Sequence, residues 1–436
     1  MKFFILKVLI NLSNLTMARK KYLNIFCFFV YFAQAQAQAQ VTPLTLHEVL
    51  NNASAFYPSL RAARFEAQAA IDDAEAVRRQ KWPIISVASE TNTGNLRTYP
   101  SQFVQVQQTL WDFGRLSARI SEAEASADIG ALNVYLQQQD LFLQIISAWQ
   151  NLQSSRERAK VAESALERLT AYHAQMRRRV DAEVSPRIDL ELVEARMLQT
   201  EVELTTAKTS TQVALTKLEQ LSGLERLQAR IDKVEPVPNL KDTQTFTERV
   251  IRFDLLRNAS DGPLAARARA QLKQSERRLD SKKSEAWPQV YVRAYKPMNT
   301  IPSSTDTSTT TFVGLSYTPG AGFSNLLEAK ALASRISGAE FSVESAILET
   351  QQILQSDREE YINARLRIAS LDKAVNGSSL VLASYKRQFE AGKKTWLDLL
   401  NAVRELAQNE YNLVDAQAAM LGAMSRLQLR MGESLP

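Results

Sequence analysis

The chain has 436 residues with only 13 glycines, 13 prolines and one cysteine, a composition suited to long helices rather than to a many-turned globular domain. Its formal net charge is +6, but residues 1–39 hold five basic residues and no acid, so the rest of the chain carries only +1. A surplus that small gives no support to nucleic acid as a partner, and a single cysteine excludes an internal disulfide.

Residues 1–39 read as a secretory signal. Arg19-Lys20-Lys21 forms a basic start, Leu23 to Phe32 an apolar run of ten, and Ala33, Ala35, Ala37 and Ala39 alternate with glutamine as cleavage sites, with Met17 a candidate true start. Ten apolar residues are too few to span a bilayer as a helix. Cys27 lies in that run and leaves with it, so the mature chain suits an oxidising compartment.

The first repeat, 40–233, opens on an amphipathic helical pattern over 44–80 that stops at Trp82-Pro83. Two alternating segments at about 84–110 follow, with Ile85, Val87 and Ser89 on one face and Val104 and Val106 interleaved with Gln105 and Gln107. Gly94-Asn95 and Tyr99-Pro100-Ser101 mark the loop between them. A long helix is predicted over about 113–180, with a seam from Leu141 through Ile145, Ala148 and Leu152 to Met176 in steps of four and three. Val184-Ser185-Pro186 breaks it, and a second helix over about 187–222 keeps the same period through Val193, Ala207, Ala214 and Leu218. A sustained 3.5-residue period specifies a coiled coil.

After a linker at 234–245 holding Pro236 and Pro238, the plan returns over 246–436. It has a helix to about Ser284, strands at about 289–318, a long helix at about 324–390 with Gly338 and Asn376-Gly377 as weak points, and a last helix at about 395–430. Trp82-Pro83 recurs as Trp287-Pro288, 205 residues on, while Asp189-Leu190 and Gly223 recur as Asp398-Leu399 and Gly432, 209 residues on. That spacing is far beyond the roughly 20–50 residues of a solenoid unit, so the chain is a duplicated strand-strand-helix-helix half. Its fold class is mainly α with a small β part.

Four strands cannot close a barrel, which needs about eight. Each is nonetheless long enough to cross a bilayer at a tilt, with one apolar and one polar face, so a barrel would have to be shared between chains. The alternative is a small soluble sheet capping a coiled coil.

Four segments together resemble the TolC family of outer-membrane efflux and type I secretion channels. They are Phe56-Tyr57-Pro58-Ser59-Leu60, Trp82-Pro83, the run from Gln108 to Gly114, and the run from Phe389 to Asn401. The resemblance implies a homotrimer whose twelve strands form a barrel in outer-membrane lipid, continued by a periplasmic helical tunnel. It also implies a periplasmic adaptor and an inner-membrane ABC or proton-driven transporter as partners, and no cofactor. Nothing in the sequence suggests an enzyme. The two histidines are His47 and His173, and no phosphate loop, nucleophile elbow or metal-spaced cluster is visible.

By the same resemblance Asp398 matches a pore-constriction aspartate, with Asp189 its counterpart in the first half. Asn401 stands where a second such aspartate is common, Phe389 where a tyrosine helps to hold the tip closed, and Lys394 where an arginine does. Asp398 also fits a capping box with Thr395, a purely structural reading. Arg177-Arg178-Arg179 is either a solvated face or an adaptor-docking patch. The leading functional reading is a passive export duct; the competing one is a periplasmic coiled-coil adaptor without a pore.

Overall fold

The computed structural model describes residues 43–91, 100–238, 240–298, 308–318 and 324–432. The signal sequence at 1–39 with Cys27, and the Gly94-Asn95 turn, lie outside the described residues.

In chain order the elements are α1 (Leu46–Phe56), α2 (Pro58–Arg79), β1 (Ile84–Thr91), β2 (Pro100–Trp111), α3 (Arg115–Asp181) and α4 (Arg187–Ser222). After a 3-10 turn at Leu227–Lys233 come α5 (Gln244–Arg252), α6 (Leu255–Asp261), α7 (Pro263–Ser284), β3 (Gln289–Pro297), β4 (Thr310–Ser316), α8 (Ser324–Glu390) and α9 (Trp396–Arg430). Two leading helices expected to be continuous are broken. Proline at the first helical position ends α1 before Pro58 and starts α7 at Pro263, and Asp254 caps α6 by accepting from the amides of Leu256 and Arg257 at 3.1 Å. Gly338 and Asn376-Gly377, by contrast, do not interrupt α8. One missing side chain costs a helix only about 1 kcal/mol, which a 67-residue coiled-coil helix absorbs.

The four strands form one antiparallel sheet in the order β1-β2-β3-β4, so β2 and β3 join the two repeats and, among the described residues, the outer edges of β1 and β4 have no strand partner. The register separates two faces, with exceptions on each: Lys296 lies opposite Val104, while Ile84 lies opposite Gln107 and Phe312 opposite Arg293. Ile85 lies opposite Val106, and Val106 opposite Ala294; Val87 lies opposite Val104; Val292 lies opposite Val313, and Val290 opposite Leu315. That face is mainly apolar, and Ile85, Val87, Val313 and Leu315 are each at least 65% exposed. The other face carries Ser86, Gln105, Gln107, Thr109, Arg293 and Ser316, with Tyr291, Tyr295 and Phe103 among them. There Arg293 donates twice to Gln107 Oε1, at 3.1 and 2.8 Å, and lies over the Tyr291 ring. Gly314 sits opposite Tyr291, whose ring occupies the space a Cβ would need. Among the described residues no helix is long and apolar enough to cross a membrane.

The long helices α3 and α8 have 67 residues each, about 100 Å at 1.5 Å per residue. Each folds back on its successor, α3 on α4 and α8 on α9, and α9 also packs against α3. The predicted seam is buried at Leu141, Ile145, Ala148, Leu152, Ala162 and Met176 on α3, and at Val193, Ala207, Ala214 and Leu218 on α4. The hydroxyls of Ser155 and Thr211 meet inside it at 3.0 Å. At the end of α4, Gly223 adopts φ +69°, and the Phe56 ring covers it so closely that any Cβ would collide. A second core joins α5 to the α8/α9 pair through Phe246, Tyr361, Ile368, Met420 and Leu427.

A separate small unit consists, within the described residues, of Leu44 and Ala229–Glu235. In it Leu44 bridges Val234 in parallel, donating to the Lys233 carbonyl at 3.0 Å and accepting from the Glu235 amide at 3.1 Å.

Candidate functional site

The two hairpin turns have the same length and different chemistry. In the first, α3 ends at Asp181 and α4 begins at Arg187; in the second, α8 ends at Glu390 and α9 begins at Trp396. The reversal needs one left-handed residue in each: Glu183 at φ +57° and Gly392 at φ +72°, 209 positions apart. Only glycine takes that conformation without a cost of about 1 kcal/mol. Glu183→Gly should therefore raise the apparent melting midpoint slightly, and Gly392→Ala, with open space around its Cβ, should lower it by a similar amount. Equal midpoints for Gly392→Ala and the parent protein would show that the second turn relaxes instead.

Asp398 forms the capping box with Thr395. Thr395 Oγ1 accepts from the Asp398 amide at 3.2 Å, while Asp398 Oδ2 accepts from the Thr395 amide at 3.1 Å and from its hydroxyl at 2.8 Å. The Thr395 hydroxyl and then its amide hold the Asp398 carboxyl below its ordinary value, with Lys394, 3.9 Å away, adding a smaller attraction. Because the folded value is the lower one, this contribution is present above about pH 4, where an unfolded aspartate is ionised, and is lost as the pH falls further. Lys394 also sits 4.4 Å from the centre of the Tyr385 ring. Asn401, one turn along α9 from Asp398, is half-buried.

Phe389 does not face solvent. It is 7% exposed, with its ring 5.2 Å from that of Trp396 and the Arg179 guanidinium 5.1 Å from its centre. Arg179 is anchored there by donating through Nε to Ser185 Oγ at 3.0 Å, so of the three arginines only Arg177 and Arg178 are exposed. Asp189 is half-buried in the first turn of α4. Its carbonyl oxygen accepts from Trp396 Nε1 at 2.9 Å, a direct link between the hairpins.

Trp396 is the hub that the sequence did not reveal. It is 4% exposed, meets Tyr172 edge-on at 6.0 Å, and belongs to a core with Leu169, Met176, Val193, Leu399 and Leu406 drawn from both hairpins. Burial pushes the Tyr172 phenol up, so it stays neutral at physiological pH. One signal was available: with the repeats aligned 209 apart, Trp396 replaces Arg187, an aromatic where the first half has a solvated cation. His173 meets Glu194 at 3.0 Å across the first hairpin. The site therefore holds a buried aromatic joint, an exposed carboxylate fixed by its cap, and two exposed cations.

Residues 49–224 match the family model of the outer membrane efflux protein. No curated protein matches the chain in sequence. Among solved structures, the outer-membrane channel OprN is similar at 17% identity over 89% of this chain and 90% of its own, with a TM-score of 0.71. VceC, an outer membrane protein of Vibrio cholerae, gives 15% identity, 89% and 96% coverage, and 0.71. The open state of the MtrE outer membrane channel of Neisseria gonorrhoeae gives 17% identity, 89% coverage of each chain, and 0.63.

Proposed function

We infer that this chain, whose residues 49–224 match the outer membrane efflux protein family model and whose fold is similar to that of outer-membrane channels, is a passive exit duct of the outer membrane reaching into the periplasm. The observation that carries the reading is the sheet: mainly apolar on one face, mixed polar and aromatic on the other, and among the described residues open at both edges. An open apolar sheet would aggregate unless its edges were paired, and three copies supply the twelve strands that close a barrel. A pore-free adaptor would have no use for that apolar face. The chain acts as a conduit rather than an enzyme, and an inner-membrane ABC or proton-driven transporter with a periplasmic adaptor would deliver its cargo. Sucrose-gradient fractionation and planar-bilayer recording test this. Trimers in the outer-membrane fraction that conduct ions are expected; a soluble periplasmic product would sink it.

The hairpin turns are the proposed gate. In a trimer Asp398 recurs threefold beside Asp189, and carboxylates so gathered favour cations. Mutual repulsion would there oppose the lowering that Thr395 produces within one chain. The exposed Ile188 and Leu397, each just before its aspartate, add apolar surface to the same tip. Closure thus relies on packing around Trp396 and Phe389 more than on a polar lock, with Lys394 and Asn401 as weaker members. Asp398→Ala should reduce cation preference in bilayers without changing trimer yield. An unaltered reversal potential under a salt gradient would remove Asp398 from the gate. Arg177 and Arg178 are the proposed adaptor-docking pair, while Arg179 holds the Phe389 ring.

A further inference from the structure

Near-neutrality of the whole conceals a local surplus of cations where the first strand pair joins its helices. A cavity of about 560 Å³ lies there, lined by Lys81, Arg115 and Arg119 together with Ile84, Leu110 and Trp111. Among the described residues none of the three cations has an ion-pair or hydrogen-bond partner for its side chain, and Arg115 Nε is shielded from solvent with nothing to donate to. The acid in the cavity wall, Asp112, is occupied: its carboxylate caps α3 by accepting from the amides of Gly114 at 3.1 Å and Leu116 at 2.7 Å. Glu122, one turn further along α3, is 4.0 Å from Arg278 instead.

The second repeat provides an internal control. Where the first half has Arg119 the second has Glu328, which pairs with Lys282 at 2.5 Å, and Glu285 pairs with the same lysine at 2.7 Å. Lys282 is thus paired within the chain, whereas Lys81, Arg115 and Arg119 have no ion-pair partner among the described residues, although Arg119 also lines the neighbouring cavity with Glu122, Glu285 and Glu328. Arg115, whose Nε is shielded and unpartnered, is the member an anion from outside would satisfy, while the exposed Lys81 and Arg119 add positive potential around it. The rim says which kind: Leu110 and Trp111 are each more than half exposed, an apolar lip that a free inorganic ion would not use.

We propose that the junction formed by Lys81, Arg115 and Arg119 binds the phosphate of an anionic phospholipid, whose acyl chains lie over Leu110 and Trp111. This rests on the membrane orientation inferred above, which puts the base of the sheet at the lipid–water boundary. Tryptophan is favoured at that boundary, and each basic residue near an anionic lipid surface contributes about a fivefold gain in binding.

The test uses the purified full-length protein in a zwitterionic detergent. Short-chain phosphatidylglycerol, phosphatidylcholine and inorganic phosphate are titrated separately, and bound ligand is counted by native mass spectrometry. Saturable phosphatidylglycerol binding is expected, weaker for phosphatidylcholine, and reduced about thirtyfold by the pair Lys81→Gln and Arg119→Gln. Arg119→Glu, which copies the second half, should weaken it as well. Equal binding to parent and variants overturns the site, and full competition by millimolar phosphate overturns the lipid assignment in favour of a free anion. The same variants are fractionated and recorded in bilayers. Outer-membrane recovery with normal conductance preserves the duct reading whatever the lipid result, whereas a periplasmic product would remove the duct reading and the lipid assignment together.

Discussion

Val106→Arg is expected to abolish trimer assembly in the outer membrane, while Gln105→Arg, one residue earlier, should leave it nearly intact. Val106 lies between Ile85 and Ala294 on the apolar face. A charge there would face hydrocarbon at about 2–4 kcal/mol per copy near the bilayer midplane, and a trimer bears that three times. Gln105 lies between Ser86 and Tyr295 on the polar face, where an added cation would meet water. The yield of heat-dissociable trimer in isolated outer membranes measures both. If the two substitutions behave alike, or in the opposite order, the sheet does not present these faces to lipid and water. An adaptor without a barrel would tolerate both.

The second large effect is at Trp396. Trp396→Ala removes a buried indole from a core shared by both hairpins, a truncation that costs about 3–5 kcal/mol, and breaks the bond to the Asp189 carbonyl. A lower apparent melting midpoint and a leakier resting channel are expected together. Trp396→Phe separates the two contributions by keeping most of the packing and losing only the hydrogen bond, worth about 1 kcal/mol. It should leak more while melting almost normally. Conductance unchanged in both variants would reduce Trp396 to a packing residue with no part in the gate.

Sequence periodicity made the architecture legible because each element obeys a local rule. The seam from Leu141 to Met176 and the alternation of Val104 and Val106 with glutamines are patterns of three to four and of two, and both are buried or faced as the pattern requires. The leading helices were less legible. Tyr57-Pro58 and Gly262-Pro263 each combine a breaker with an apolar pattern that continues past it, so the pattern reads through a real break. At the hairpin turns the sequence pointed to Asp398 and its cap, since Thr395 and Asp398 are three residues apart. It could not show that Phe389 turns inward against Arg179, or that Trp396 reaches a carbonyl 207 residues away. Those contacts depend on how two coiled coils lie side by side, which no local period encodes. The cationic junction was hidden for a related reason: its three basic residues are spread over nearly forty positions within a chain whose total charge is unremarkable.

The equal lengths of α3 and α8 act as a matched pair of rulers. Both descend from strands of one sheet, so turns at the ends of 67-residue helices fall at a common depth, and six of them in a trimer would make a level rim. Removing seven residues from α3 and the facing seven from α4 would preserve the seam of each. It would nevertheless lift every other turn by about 10 Å and leave a notched edge. Any insertion or deletion in one hairpin must therefore be matched in the other, so the reach of the tube can change only when both halves change in step.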